Sequence, residues 1–94
     1  MGTDRDRVLA TFMRDGRITQ IPRQAAKRRV LLDLLAQQFA IGVRYSEKEV
    51  NETLARFHPD TAALRRYMVD EEFLERDPTI EGTAYWRAGG TVEV

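Results

Sequence analysis

Two short helices written back to back between Ser46 and Asp70 bound what the rest of the chain can build around them. Ser46-Glu47-Lys48-Glu49 has the spacing of a capping box, in which the Ser hydroxyl and the Glu49 carboxylate satisfy each other's exposed backbone amides. Val50, Leu54 and Phe57 then recur at intervals of four and three, the stripe of a short amphipathic helix over 47–57 that His58-Pro59 ends. Asp60 is a cap for the next helix, over 61–70, where Leu64, Tyr67 and Met68 share a face and Arg65 and Arg66 turn toward solvent. Two such helices with a link of a few residues have the dimensions of a helix-turn-helix, which here spans 46–70.

The flanking segments extend that reading. Phe73-Leu74-Glu75-Arg76 and Thr83-Ala84-Tyr85-Trp86-Arg87 are strand-like, and the turn formers of Asp77 to Gly82 between them predict a hairpin over 73–88. Neighbouring strand residues point to opposite faces, and Trp86, with Ala84, is assigned to the core. Residues 89–94 read as a frayed tail. Upstream, a helix over 1–14 is capped by Thr3 and ended by Asp15-Gly16, and Arg17 to Ile21 forms an extended link. A central helix follows over 23–40. Ala26, Val30, Leu34 and either Phe39 or Ile41 sample one face, Leu31, Leu32 and Leu35 widen the stripe, and Gly42 supplies the positive φ that ends it. Helices followed by a C-terminal hairpin, with short additional strands, make an α+β winged-helix-like fold. At 94 residues the chain is one domain, 1–94.

Composition removes several chemistries. There is no Cys, hence no disulfide, thiolate nucleophile or thiolate metal site, and the single His, His58, reads as a turn residue beside Pro59. No Gly-rich strand-to-helix loop with a Lys-Ser or Lys-Thr pair is present to cradle a nucleotide. The acids Asp70, Glu71, Glu72, Glu75 and Asp77 lack the spacing of a calcium loop and read as a solvated helix end. The expectation is a protein without catalysis, cofactor or metal. No apolar run approaches the roughly 20 residues of a membrane span, and the N-terminus lacks a secretory core, so a cytoplasmic location is expected.

Charge is informative only locally. Fifteen Lys and Arg balance fifteen Asp and Glu, yet residues 1–45 carry nine basic and four acidic groups, and residues 46–94 carry six and eleven. Arg65 and Arg66 lie on the helix that would enter a major groove, although Ala62, Ala63 and Val69 leave it short of long polar readers. Lys27, Arg28 and Arg29 sit with Arg23 at the start of the central helix, where the helix dipole prefers anions. Their counter-charge is phosphate, an acidic partner or the domain's own acidic half. One continuous positive face joining Arg65, Arg66 and Lys27 to Arg29 favours DNA, and separation by acids favours protein contact.

Tyr45-Ser46-Glu47-Lys48-Glu49-Val50-Asn51, with His58, Asp60, Leu64-Arg65-Arg66-Tyr67 and Tyr85-Trp86-Arg87, resembles the prokaryotic domain-of-unknown-function family 2087. Asp15-Gly16-Arg17-Ile18, Ile21-Pro22 and Lys27-Arg28-Arg29 extend the resemblance over roughly residues 12–87. Members of that family occur alone or joined to regulators of transcription, so the resemblance implies a regulatory or nucleic-acid setting. Glu72 stands where related domains often have Gly before the first hairpin strand, and a left-handed backbone there would be strained by about 1 kcal/mol. The expected function is a DNA-binding or transcription-regulatory winged-helix module, with Arg65 and Arg66 on the inserted helix and Lys27, Arg28, Arg29 or Arg44 on phosphate. The alternative is a protein-interaction or homodimerisation module on the same scaffold without DNA contact. A homodimer suits either.

Overall fold

The computed structural model describes residues 3–88, with side chains from Arg5 onward. The tail expected over 89–94 and the Thr3 side chain expected to cap the first helix lie outside the described residues. The elements in chain order are α1 (Thr3–Phe12), β1 (Met13–Arg14), β2 (Arg17–Ile18), α2 (Ala25–Ala36), β3 (Tyr45–Ser46), α3 (Glu47–Ala55), α4 (Thr61–Asp70), β4 (Leu74–Thr79) and β5 (Gly82–Arg87). From α2 onward this is the order of a winged helix, with strands arranged β3-β5-β4, all antiparallel.

The N-terminal segment departs from expectation at residue 13. Asp15 and Gly16 both have positive φ, 53° and 79°, the geometry of a type I′ turn, so Met13-Arg14 folds back on Arg17-Ile18 as a small hairpin instead of continuing the helix. The hairpin is fastened to the far side of the domain. Ile18 donates its N–H to the Phe57 carbonyl at 2.7 Å, and the Arg17 guanidinium donates to the carbonyls of Ala55 and Arg56. Arg17 thereby satisfies orphan carbonyls at the C-terminus of α3, where a cation also suits the dipole.

The central helix is shorter than its apolar stripe. It stops at Ala36, and Phe39 enters the core from the turn that follows, while Gly42 (φ 83°) serves a later turn and does not end the helix. The inner face is Leu31, Leu32, Leu35 and Ala36, all 2% exposed or less. Ala26 is exposed, and Val30 and Leu34 are half-buried. Phe39 meets Tyr45 edge to face at 5.1 Å, and the Tyr45 hydroxyl accepts the Ala40 N–H, which ties β3 to the end of α2.

Both helices of the helix-turn-helix form, α4 over the expected 61–70 and α3 ending at Ala55, two residues short of the expected Phe57. Ser46 and Glu49 exchange both hydrogen bonds of the capping box at 2.9 and 3.1 Å, and Asp60 accepts the Ala63 N–H. Val50, Leu54, Leu64 and Met68 close on α2 in one core cluster. His58 completes the link by accepting the Asp60 N–H at Nδ1.

The hairpin falls within the expected span but its strands are longer and its turn shorter, with only Ile80-Glu81 between them, and Pro78 lies within β4. An edge strand tolerates Pro because the missing N–H can face away from the sheet. The assignment of the two aromatic residues is reversed: Tyr85 is the core residue, 1% exposed, and Trp86 lies half-buried on the opposite face. Tyr85 fits because its one polar atom has a partner, its hydroxyl donating to Glu47 Oε1 at 3.1 Å.

Glu72 adopts the left-handed conformation, φ 67°. Phe73 donates to the Met68 carbonyl and Glu72 to that of Val69, the two bonds of a Schellman motif closing α4. Phe73 and Met68, both buried, supply its usual apolar contact.

Candidate nucleic-acid interface

The two arginine clusters have different fates. Arg28, in the first turn of α2, places its Nε 2.6 Å from Glu71 Oε2, with both side chains 14% exposed. It also lies 4.4 Å from the Tyr67 ring centroid and donates to the carbonyls of Pro22 and Arg23. Arg29 sits over the Phe73 ring at 4.9 Å, 3.6 Å from Glu71 Oε1, and donates to the Glu71 carbonyl. The counter-charge is therefore the domain's own acidic half. An arginine at a helix start and a carboxylate at a helix end are each opposed by their own helix dipole. Placing the two ends together cancels both mismatches. Glu71, read from sequence as part of a solvated acidic end, is instead the anchor of α4 on α2.

Arg65 and Arg66 lie elsewhere. Arg65 is 21% exposed and held by α3: its Nη1 donates to Asn51 Oδ1, and its Nη2 lies 3.8 Å from Glu47 Oε2. The expectation that it turns freely to solvent is thus modified by a second helix. The same contact gives Asn51, a polar residue on α3 beside the buried Val50, its partner. Arg66 is exposed on the next position. Both line a cleft of about 210 Å³ between α4 and β4, together with Ala62, Val69, Asp70 and Arg76. Neither Arg66 nor Arg76 makes an ion pair among the described residues.

Arg76 was not among the sequence candidates, because nothing local distinguishes an arginine in a strand flanked by Glu75 and Asp77. Only the β4–β5 register, which sets Arg76 opposite Tyr85, places it beside α4. Arg44 stacks on Trp86 at 4.6 Å, on the outer side of the sheet. Lys27 is exposed without an ion pair among the described residues. Glu71 takes both Arg28 and Arg29, whereas Arg65 and Arg66 line the α4–β4 cleft. Among the described residues no helix is long and apolar enough to cross a membrane.

Element order, strand order and an arginine-lined α4 beside the hairpin define a winged-helix-like domain. The DUF2087 family, described as an uncharacterized protein conserved in bacteria, matches residues 17–87, and the chain belongs to it. No curated protein and no solved structure matched the chain.

Proposed function

We propose that this domain binds duplex DNA, without catalysis, through α4 and the β4–β5 wing. The observation that carries the proposal is the cleft in which Arg65 and Arg66 of α4 meet Arg76 of the wing, at the place where a winged helix meets the duplex. The contact set is small, three guanidiniums against the nearby acids Asp70, Glu75 and Asp77. It supports phosphate docking better than base reading, because Ala62 and Val69 offer no polar reader to a base edge. Arg28 and Arg29 stay out of the interface on this reading. A homodimer on two half-sites would double the contacts.

The alternative, a protein-interaction module on the same scaffold, is favoured by one observation: Arg28 and Arg29, two of the cations a positive face would need, are paired with Glu71. Fluorescence anisotropy of the full chain against a labelled random duplex over a salt series decides between them, with sedimentation giving the oligomeric state at the same concentration. DNA binding through this cleft predicts a log–log salt slope of about −2 to −3 per protomer. Folded protein that shows no affinity at low salt removes the DNA reading in favour of the interaction module.

A further inference from the structure

The α4–β4 cleft is tied to the rest of the winged helix by a chain of polar contacts. Tyr85, in the middle of β5, donates its hydroxyl to Glu47 Oε1 at 3.1 Å; the other oxygen of Glu47 lies 3.8 Å from Arg65 Nη2; and Asn51, one turn along α3, accepts from Arg65 Nη1. Tyr85 is also the residue directly opposite Arg76 across the β4–β5 ladder. A run of side chains from β5 to α3 to α4 therefore holds Arg65 at the cleft, and the ladder register sets Arg76 there.

Arginine carries five N–H donors in a rigid fork. The hydrogen bond to Asn51 engages one donor and leaves four for a ligand, and the Glu47 carboxylate at 3.8 Å adds charge attraction, so the two contacts to α3 remove much of the freedom that such a side chain otherwise loses on binding. Arg66 and Arg76 keep all of theirs. Planar guanidiniums at one concave site match the oxygens of a tetrahedral anion, and Ala62 and Val69 form an apolar wall that limits competing hydration. Asp70 lines the same cleft and opposes an anion, so the site is tuned to modest affinity.

We infer that the α4–β4 cleft is a phosphate-class oxyanion site, with Arg66 and Arg76 as ligands and Arg65 as a third ligand held in position by Asn51 and Glu47. The inference deepens the DNA reading and rests on it only for the source of the phosphate, a duplex backbone or a free phosphorylated molecule. Asn51 and Glu47 are positioning residues, which touch the anion only through Arg65.

The test uses the full chain with ¹⁵N-labelled arginine. Side-chain Nε–Hε resonances are followed as inorganic phosphate is titrated through the millimolar range at constant ionic strength with chloride, and again with an unlabelled duplex. Phosphate is expected to shift Arg65, Arg66 and Arg76 together and leave Arg28 and Arg44 in place. Asn51→Ala and the conservative Glu47→Gln are each expected to weaken phosphate binding roughly three- to tenfold and to displace the Arg65 resonance in the free protein, with unchanged circular dichroism. Asp70→Asn is expected to tighten binding a few-fold. If a variant unfolds, the wild-type titration still decides.

Phosphate shifts that the duplex reproduces and competes away support the site with the DNA backbone as its source. Phosphate shifts without duplex binding support the site with a free phosphorylated molecule as its source and overturn the DNA reading alone. Duplex binding that leaves these three resonances unmoved overturns the site and moves the DNA contact to another surface of the domain. Chloride shifting the same resonances as strongly as phosphate, or no shift with phosphate, also overturns it.

Discussion

The Lys27-Arg28-Arg29 run and the Arg65-Arg66 pair read alike as sequence, yet the fold puts them to opposite uses. Arg28 and Arg29 are roofed onto Tyr67 and Phe73 and closed on Glu71, a carboxylate only 14% exposed. Arg66 stands exposed at a cleft with Arg76 opposite, and Arg65 is held at its edge by α3. An arginine with an aromatic face and an enclosed carboxylate is a structural clamp, whereas one on a concave surface without a carboxylate of its own is available to a ligand. Basic character alone does not separate the two.

The sharpest way to break this contrast is to remove the anchor of the clamp. Glu71→Ala leaves two guanidiniums without their carboxylate against the α2–α4 junction and is expected to cost about 2–3 kcal/mol, below the value for a fully buried pair because some solvent reaches it. Urea denaturation reads this directly. A change within about 0.5 kcal/mol would return Arg28 and Arg29 to the list of available cations. The mirror experiment is Arg66→Ala with Arg76→Ala, expected to lower duplex affinity at least tenfold and reduce the salt slope by nearly 2, with folding stability altered by about 0.5 kcal/mol or less.

Smaller effects sharpen the picture. Glu72→Gly is expected to stabilise the domain by about 1 kcal/mol, since glycine adopts φ 67° without the strain borne by a side chain, and thermal unfolding measures it. Arg44→Ala removes only an exposed stack on Trp86. It is expected to cost about 0.5 kcal/mol in the same melt and to leave duplex binding unchanged. A large loss of DNA affinity in that variant would place the interface on the outer face of the sheet instead of in the cleft.

Much of the architecture was legible because its signals are local. The capping box at Ser46, the Asp60 cap and the Val50-Leu54 spacing each act within one turn of helix, and all three occur in the structure. The helix ends were less legible. Asp15-Gly16 is a helix stop and a hairpin turn in the same letters, and pairing with Arg17-Ile18 decided for the hairpin. The choice between Tyr85 and Trp86 for the core could not be made from strand alternation, which says only that they face apart. It depended on which sheet face the helices cover and on Glu47 being within reach of a hydroxyl. The partner of Arg65 was hidden for a similar reason: Asn51 precedes it by 14 residues across a turn.

Residue order alone was enough to specify the helices of the helix-turn-helix, their caps, the hairpin and the winged-helix sequence of elements, because hydrogen bonding and apolar periodicity within a few residues set them. Which cations are consumed and which remain was settled by assembly. Glu71 reaches Arg28 across 43 residues and Arg76 comes beside α4 through strand register, and electrostatic pairing depends on distance in space, to which distance along the chain is no guide.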